Sequence, residues 1–300
     1  MAVTTTTTVG SQINSEVLVD YIQDSARNHA VMLPLAHAQE LGGSNSASAS
    51  FAKVTALTAP AAGDQGTTGI TAQAFTLTDV VATAAPYEMA VDVSKQALRT
   101  MRPAALMHLV DEMIYQLANK IDAAGAALFA GLDAGVGSSG VNITPDVLNA
   151  AAIALHTSHP ARSAGRTVIC LHQMQIGDLR NLLFDATNGL PPGYSRQDLM
   201  DIFGTTPGHS LLGLNVGRWG DIPILQMAQV ATANAGADRA GAMFIFGEGG
   251  AFGCAVLWHP EIEEASLAAA RISGKTYLGD VSFGWIEIDG TKGQKIVTDA

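Results

Sequence analysis

Charge is what this sequence has least of. Asp, Glu, Lys and Arg make up 14% of its 300 residues, against about a quarter in an average soluble chain. A monomer usually needs more charge to stay in solution, so the shortfall points to a surface covered by partner subunits. Cations are scarcer still. With 16 Lys and Arg against 27 Asp and Glu, the net charge is −11, which argues against bulk nucleic-acid binding through a basic surface. Cysteine is nearly absent. Cys170 and Cys254 each sit in an apolar, strand-like run and read as small buried hydrophobes in a reducing compartment, not as a disulfide framework. Long apolar runs are missing too: MFIFGEGGAFGCAVLW, Met243 to Trp258, is broken by Glu248 and four glycines, so no membrane span is expected. The stretch MAVTTTTTVGSQ has neither the basic nor the apolar region of a signal peptide, and a soluble product of the cytoplasm is expected.

Readable chemistry is the next absence. The GKT of RISGKTYLG has Ala269 where a phosphate-binding loop needs its first glycine, and the sequence after it reads as strand; a turn between strands is expected. FGEGGAFG puts Phe252 where a dinucleotide loop needs a third glycine, so a tight β-turn is expected instead. GHSLLG has Leu212 at the last glycine of a nucleophile elbow. His156, His159 and His172 find no cysteine or carboxylate nearby to complete a metal set, and Glu261, Glu263 and Glu264 read as a solvated charge run. No acid, base and nucleophile can be assembled, so no catalytic residue, cofactor or metal is assigned and an enzyme is not expected.

What is present is a distinctive order of elements. A Thr tract and a short amphipathic helix capped by Ser15 come first. Two strand-like runs, Ser50–Thr58 and Gln73–Val93, flank the polar segment PAAGDQGTTG, the pattern of a long β-hairpin with a flexible tip. A two-stranded hairpin is marginal alone, so it must lie against something. Pro103 suits a first helical position, and Leu106, Leu109, Val110, Met113, Ile114, Leu117, Ile121 and Leu128 follow at helical spacing. A helix from Pro103 to a stop at Gly131 would be about 43 Å long. DAGVGSSGV, Asp133 to Val141, reads as a linker. Helices and strands then alternate to about Ala270: a helix from Thr144-Pro145-Asp146, the strand TVICL with a helix behind it, then HSLLGLNV, DIPILQM, AMFIFG and AFGCAVLW. From Arg271 the chain reads as strands.

PYEMAVDVSKQALRTMRPAALMHLVDEMIYQLANKIDAAGAALFAG resembles the return strand of an extended loop followed by a spine helix. GDIPILQM before AGAMFIFGEGGAFG, and VSFGWIEIDGTKGQKIVTDA, are similar to the late axial and closing peripheral segments of the same family. That family is the major capsid proteins of tailed phages, with the Hong Kong 97-type fold. The resemblance rests on architecture across nearly the whole chain. It implies an α+β fold in four parts: an N-terminal arm (1–49), an extended β-hairpin loop (50–93), a peripheral domain with the long spine helix (94–140 and 271–300), and an α/β axial domain (141–270). It implies a structural shell subunit assembling as hexamers and pentamers around double-stranded DNA, without sequence-specific binding and without a membrane. Portal and scaffold or decoration proteins are the implied partners, and the virion, built in the host cytoplasm, is the implied location. Phe51, Lys53, Asp64, Gln65 and Phe75 are the implied contacts with neighbouring subunits. Some members join a loop lysine covalently to a neighbour's asparagine; Lys53 lies in the loop, but no partner asparagine can be picked. About forty residues before the hairpin leave no room for a cleaved scaffolding segment, so a separate scaffold or none is expected. An encapsulin-type nanocompartment shell shares these patterns, and an α/β enzyme with a divergent site is the reading from another class.

Overall fold

The computed structural model describes residues 30–42, 46–54, 76–100, 103–159, 165–184, 215–233, 236–266 and 274–299. The helix expected after Ser15 and the hairpin tip at Pro60–Gly69 lie outside them. Among the described residues the architecture is α+β, built on two sheets and a two-stranded hairpin.

The four-stranded sheet is made from distant parts of the chain. β11 (Phe252–Ser266) and β12 (Gly274–Glu287) form a long antiparallel pair. β4 (Ala85–Ser94) adds antiparallel to β12, and β1 (His37–Glu40) adds parallel to β11. The β11–β12 register slips on both sides of Trp258. Pro260 falls in that irregular stretch, where a strand tolerates a residue with no amide donor. Alternation gives the sheet one apolar face. On it, Cys254, Val256, Val281 and Phe283 meet Leu117 and Ile121, while Val93, Ile262 and Tyr277 meet Val110, Met113 and Ile114.

Those partners belong to α2 (Pro103–Ala127), which follows the short α1 (Lys95–Thr100). Pro103 opens it, and a 3-10 turn at Leu128–Gly131 closes it, so the expected stop stands. Its buried residues Val110, Met113, Ile114, Leu117, Ala118 and Ile121 follow the helical repeat. Each large one contributes roughly 1.5–3 kcal/mol by leaving water. Tyr87 of β4 stacks on Phe283 with centroids 4.7 Å apart, and the Lys120 ammonium lies 5.0 Å from the Tyr87 ring.

The larger sheet has the order β5–β13–β10–β6–β8–β7. Its strands are β5 (Asp133–Val136), β6 (Thr167–Leu171), β7 (Asn215–Trp219), β8 (Ile222–Gln226), β10 (Asp238–Ile245) and β13 (Gly293–Asp299), with β9 (Thr232–Ala233) paired on β10. α3 (Pro145–Ser158) and α4 (Gln173–Phe184) cover one face through Leu148, Leu155, Ile176 and Leu179. On the other face Val168, Cys170, Leu225 and Phe244 meet Met32, Leu35, Ala126 and Phe129. There Phe129, Phe244 and Phe252 form a triangle with centroids 5.7, 5.9 and 4.9 Å apart. Phe252 begins β11, so this triangle joins the two sheets.

The sheets cross the segment limits drawn from sequence. β11 lies inside 141–270 but pairs in the sheet of the long helix; β13 lies inside 271–300 but pairs in the larger sheet. Two local expectations also change. The linker Asp133–Val141 holds β5, a strand formed by parallel pairing with β13. Gly274-Lys275-Thr276 is the start of β12, not a turn: these residues pair with Ser94, Val93 and Asp92 of β4. A Cβ at Gly274 would overlap the Val93 carbonyl, which accounts for the glycine. The FGEGG stretch does make a tight turn, with Gly247 and Gly249 at φ +79° and +68°.

Candidate assembly surface

Among the described residues no group of three His, Cys, Asp or Glu side chains could hold a metal ion, and no helix is long and apolar enough to cross a membrane. His156 lies on α3, the His159 ring bonds Thr291 at the carbonyl and hydroxyl oxygens, and His172 accepts from the Met174 amide. Glu261, Glu263 and Glu264 stand on β11, with Glu264 paired to Lys275 at 2.5 Å. Both cysteines are buried thiols; burial pushes Cys254 up to about 12.

β2 (Ser48–Val54) pairs antiparallel with β3 (Leu77–Thr83). One face, Ala49, Phe51 and Ala82, is buried with Ala255 and Ile288. It rests on the side of the four-stranded sheet opposite α2. Two glycines make that approach possible. Phe51's ring fills the space over Gly253, where a Cβ would sit 3.0 Å from three ring carbons. Thr83's backbone lies over Gly284, where a Cβ would overlap its carbonyl. Register pairs Gly253 with Ile286 and Ala255 with Gly284, so the two glycines share one face of the sheet. His37 closes the other side of Phe51, edge-on at 5.2 Å.

The opposite hairpin face is wet. Leu77 and Val81, alternating with Asp79, are 56% and 52% exposed. Among the described residues nothing packs against these large apolar side chains, and an exposed apolar row on one strand face marks an interaction surface.

A charged knot holds the tip-ward end of the described hairpin ladder. Lys53 of β2 reaches Asp289 at 3.3 Å, and Lys292 reaches the other carboxylate oxygen at 3.4 Å. Asp289 also accepts from the amide and hydroxyl of Thr291, capping the 3-10 turn Gly290–Lys292. Burial alone would push the Asp289 carboxyl up. The Thr291 hydrogen bond and the Lys292 and Lys53 charges outweigh it and hold the carboxyl below its usual value. Glu287 moves the other way: burial raises it, Lys53 partly opposes, and Asp289 and Asp133 add to the rise.

Of the five contact residues expected from sequence, the described residues include two. Phe51 is 1% exposed and belongs to the chain's own core, because Gly253 leaves a pocket of ring size. Lys53 is 43% exposed while paired with Asp289. Asp64, Gln65 and Phe75 lie outside the described residues. Sequence reading missed Asp289 and the two glycines. Beyond Thr291 and Lys292 next to Asp289, their partners Phe51, Thr83 and Lys53 lie about two hundred or more positions upstream, and no local pattern signals them.

No family model matches this chain, and no curated protein matches it. Solved structures do. The capsid of Ralstonia phage GP4 is 11% identical, with a TM-score of 0.61 over 89% of this chain and 87% of that one. The capsid of a native GTA particle is 12% identical, with a TM-score of 0.61 over 91% of each chain. A virus-like particle from Pyrococcus furiosus is 10% identical, with a TM-score of 0.56 over 95% and 98%. At these identities the likeness concerns the fold: the chain has the Hong Kong 97-type fold of tailed-phage capsid proteins.

Proposed function

We propose that this chain is the major capsid protein of a tailed phage, a non-enzymatic subunit of an icosahedral shell that encloses double-stranded DNA. The observation that carries the reading is the whole-chain match in fold to capsid subunits, about nine-tenths of both chains. The hairpin's exposed apolar face supports it, since a subunit in a shell has neighbours to cover such a face. Its partners are then further copies of itself, in hexamers and pentamers, with a portal and scaffold or decoration proteins. Its place is the virion, assembled in the host cytoplasm. The charge balance suits a container, because an acidic wall does not grip the packaged nucleic acid. Hairpin residues, Lys53 and the segment with Asp64, Gln65 and Phe75, are assigned to contacts with neighbours.

Size-exclusion chromatography and negative-stain microscopy of the purified chain test this. Megadalton shells or capsomer rings are expected; a stable monomer or dimer at micromolar concentration overturns it. A second reading is favoured by the match to the Pyrococcus particle, which spans 98% of that chain: a nanocompartment shell enclosing protein cargo. Nuclease-protected DNA inside particles isolated from the native source separates the two.

A further inference from the structure

We propose that Asp122 is a proton-coupled latch: the segment Ala30–Leu35 docks on α2 with uptake of a proton by this carboxyl, and rising pH loosens the docking. Asp122 is 2% exposed on a helix that is otherwise apolar on that side. One carboxylate oxygen accepts from the Val31 amide at 3.0 Å and the other from the Met32 amide at 2.8 Å. These two bonds tie residues 91 and 90 positions apart. Met32 is itself fully buried and packs against Gly125, one turn along α2.

Among the described residues, the charges facing this carboxyl are few. Ala30–Leu35 carries no titratable side chain. β6 contributes Cys170, whose thiol burial and the Asp122 charge push far above its usual range, so it stays neutral. Ion pairs made by the described residues do not include Asp122. Burial therefore dominates: it pushes the carboxyl up to about 6, and the two amide bonds only partly oppose it. The sign follows. An acid whose value is raised in the docked state binds protons there more readily than when exposed, at its ordinary 3.8. The docked state is favoured below that value and loses the advantage as pH rises towards 6. Opening exposes Asp122, so the opening equilibrium should grow about fifty-fold between pH 4 and pH 7.

Hydrogen exchange at Val31 and Met32 in the full chain, corrected for the intrinsic pH dependence of exchange, reads this directly. Protection should fall about fifty-fold from pH 4 to pH 7. In Asp122→Asn, protection should be flat with pH, because the amide side chain cannot titrate. The carboxyl carbon of Asp122, followed by NMR in the unaltered chain, should titrate near 6 and not near 4. That measurement holds even where the variant fails to fold. Flat protection in the unaltered chain, a slope that survives in Asp122→Asn, or titration near 4 each overturn the latch.

Discussion

Phe51 and Gly253 occupy one position between them: the ring of the first stands where the second would carry a side chain, with a Cβ only 3.0 Å from the ring carbons. At Gly284 the neighbour is instead the backbone of Thr83. The difference predicts unequal costs. A ring can tilt, so Gly253→Ala should destabilise the subunit by about 1 kcal/mol; backbone cannot move without lifting β3, so Gly284→Ala should cost about 3 kcal/mol. Urea unfolding of both variants, at unchanged slope, measures it. Equal costs would show that the hairpin is not seated by these two glycines.

The knot at Asp289 is asymmetric. Lys53 is 43% exposed, whereas Asp289 and Lys292 are 9% and 6% exposed. An exposed pair contributes little, so Lys53→Met should cost less than about 1 kcal/mol. Asp289→Ala removes the cap acceptor and the carboxylate beside a buried ammonium, and should cost about 3 kcal/mol. Urea unfolding again decides, and a larger effect from Lys53→Met would reverse the assignment.

Acid should act on the same knot. The Asp289 carboxyl is held below its ordinary 3.8 in the folded chain. Its contribution is then complete above that value and lost as pH falls through the lower folded one. Melting temperature between pH 5 and pH 2 should therefore drop more steeply in the unaltered chain than in Asp289→Asn. Parallel curves would remove Asp289 from the acid response.

The wet face of the hairpin offers a test of assembly apart from folding. Leu77→Asp and Val81→Asp place charge where both residues are more than half exposed. The subunit's own stability should change by less than about 0.5 kcal/mol, as at other exposed sites. Assembly into particles, followed by light scattering, should fall at least tenfold. Deleting Pro60–Gly69 should likewise leave a folded subunit that assembles poorly. Unaltered particles in both cases would move the contact elsewhere.

Local periodicity made much of this fold legible. α2 announces itself through Pro103 and the spacing from Val110 to Ile121, and β6 through the run TVICL, four apolar residues after a threonine, all five buried. The hairpin was legible as two runs, though the second is two strands, β3 and β4, divided at Ala84. What stayed hidden depends on distant pairing. DAGV becomes β5 only because β13 lies beside it, and GKT becomes strand only because β4 does. Nothing local marks Asp122, since its two partners lie some ninety positions upstream. Phe51 reads as a contact residue until Gly253, two hundred residues on, is seen to make room for it.

β13 is an inner strand, seated between β5 and β10. Its residues, Gly293–Asp299, follow those of every other strand in the sheet. Until β13 is made, the β10 edge it pairs with, and β5, which pairs with it alone, have no strand beside them. An open edge of this kind can recruit a strand from another nascent chain. The larger sheet cannot close progressively from its first strands. The order of synthesis thus leaves an inner strand next to one edge for last, and crowding among ribosomes making many copies would put that open edge at greatest risk.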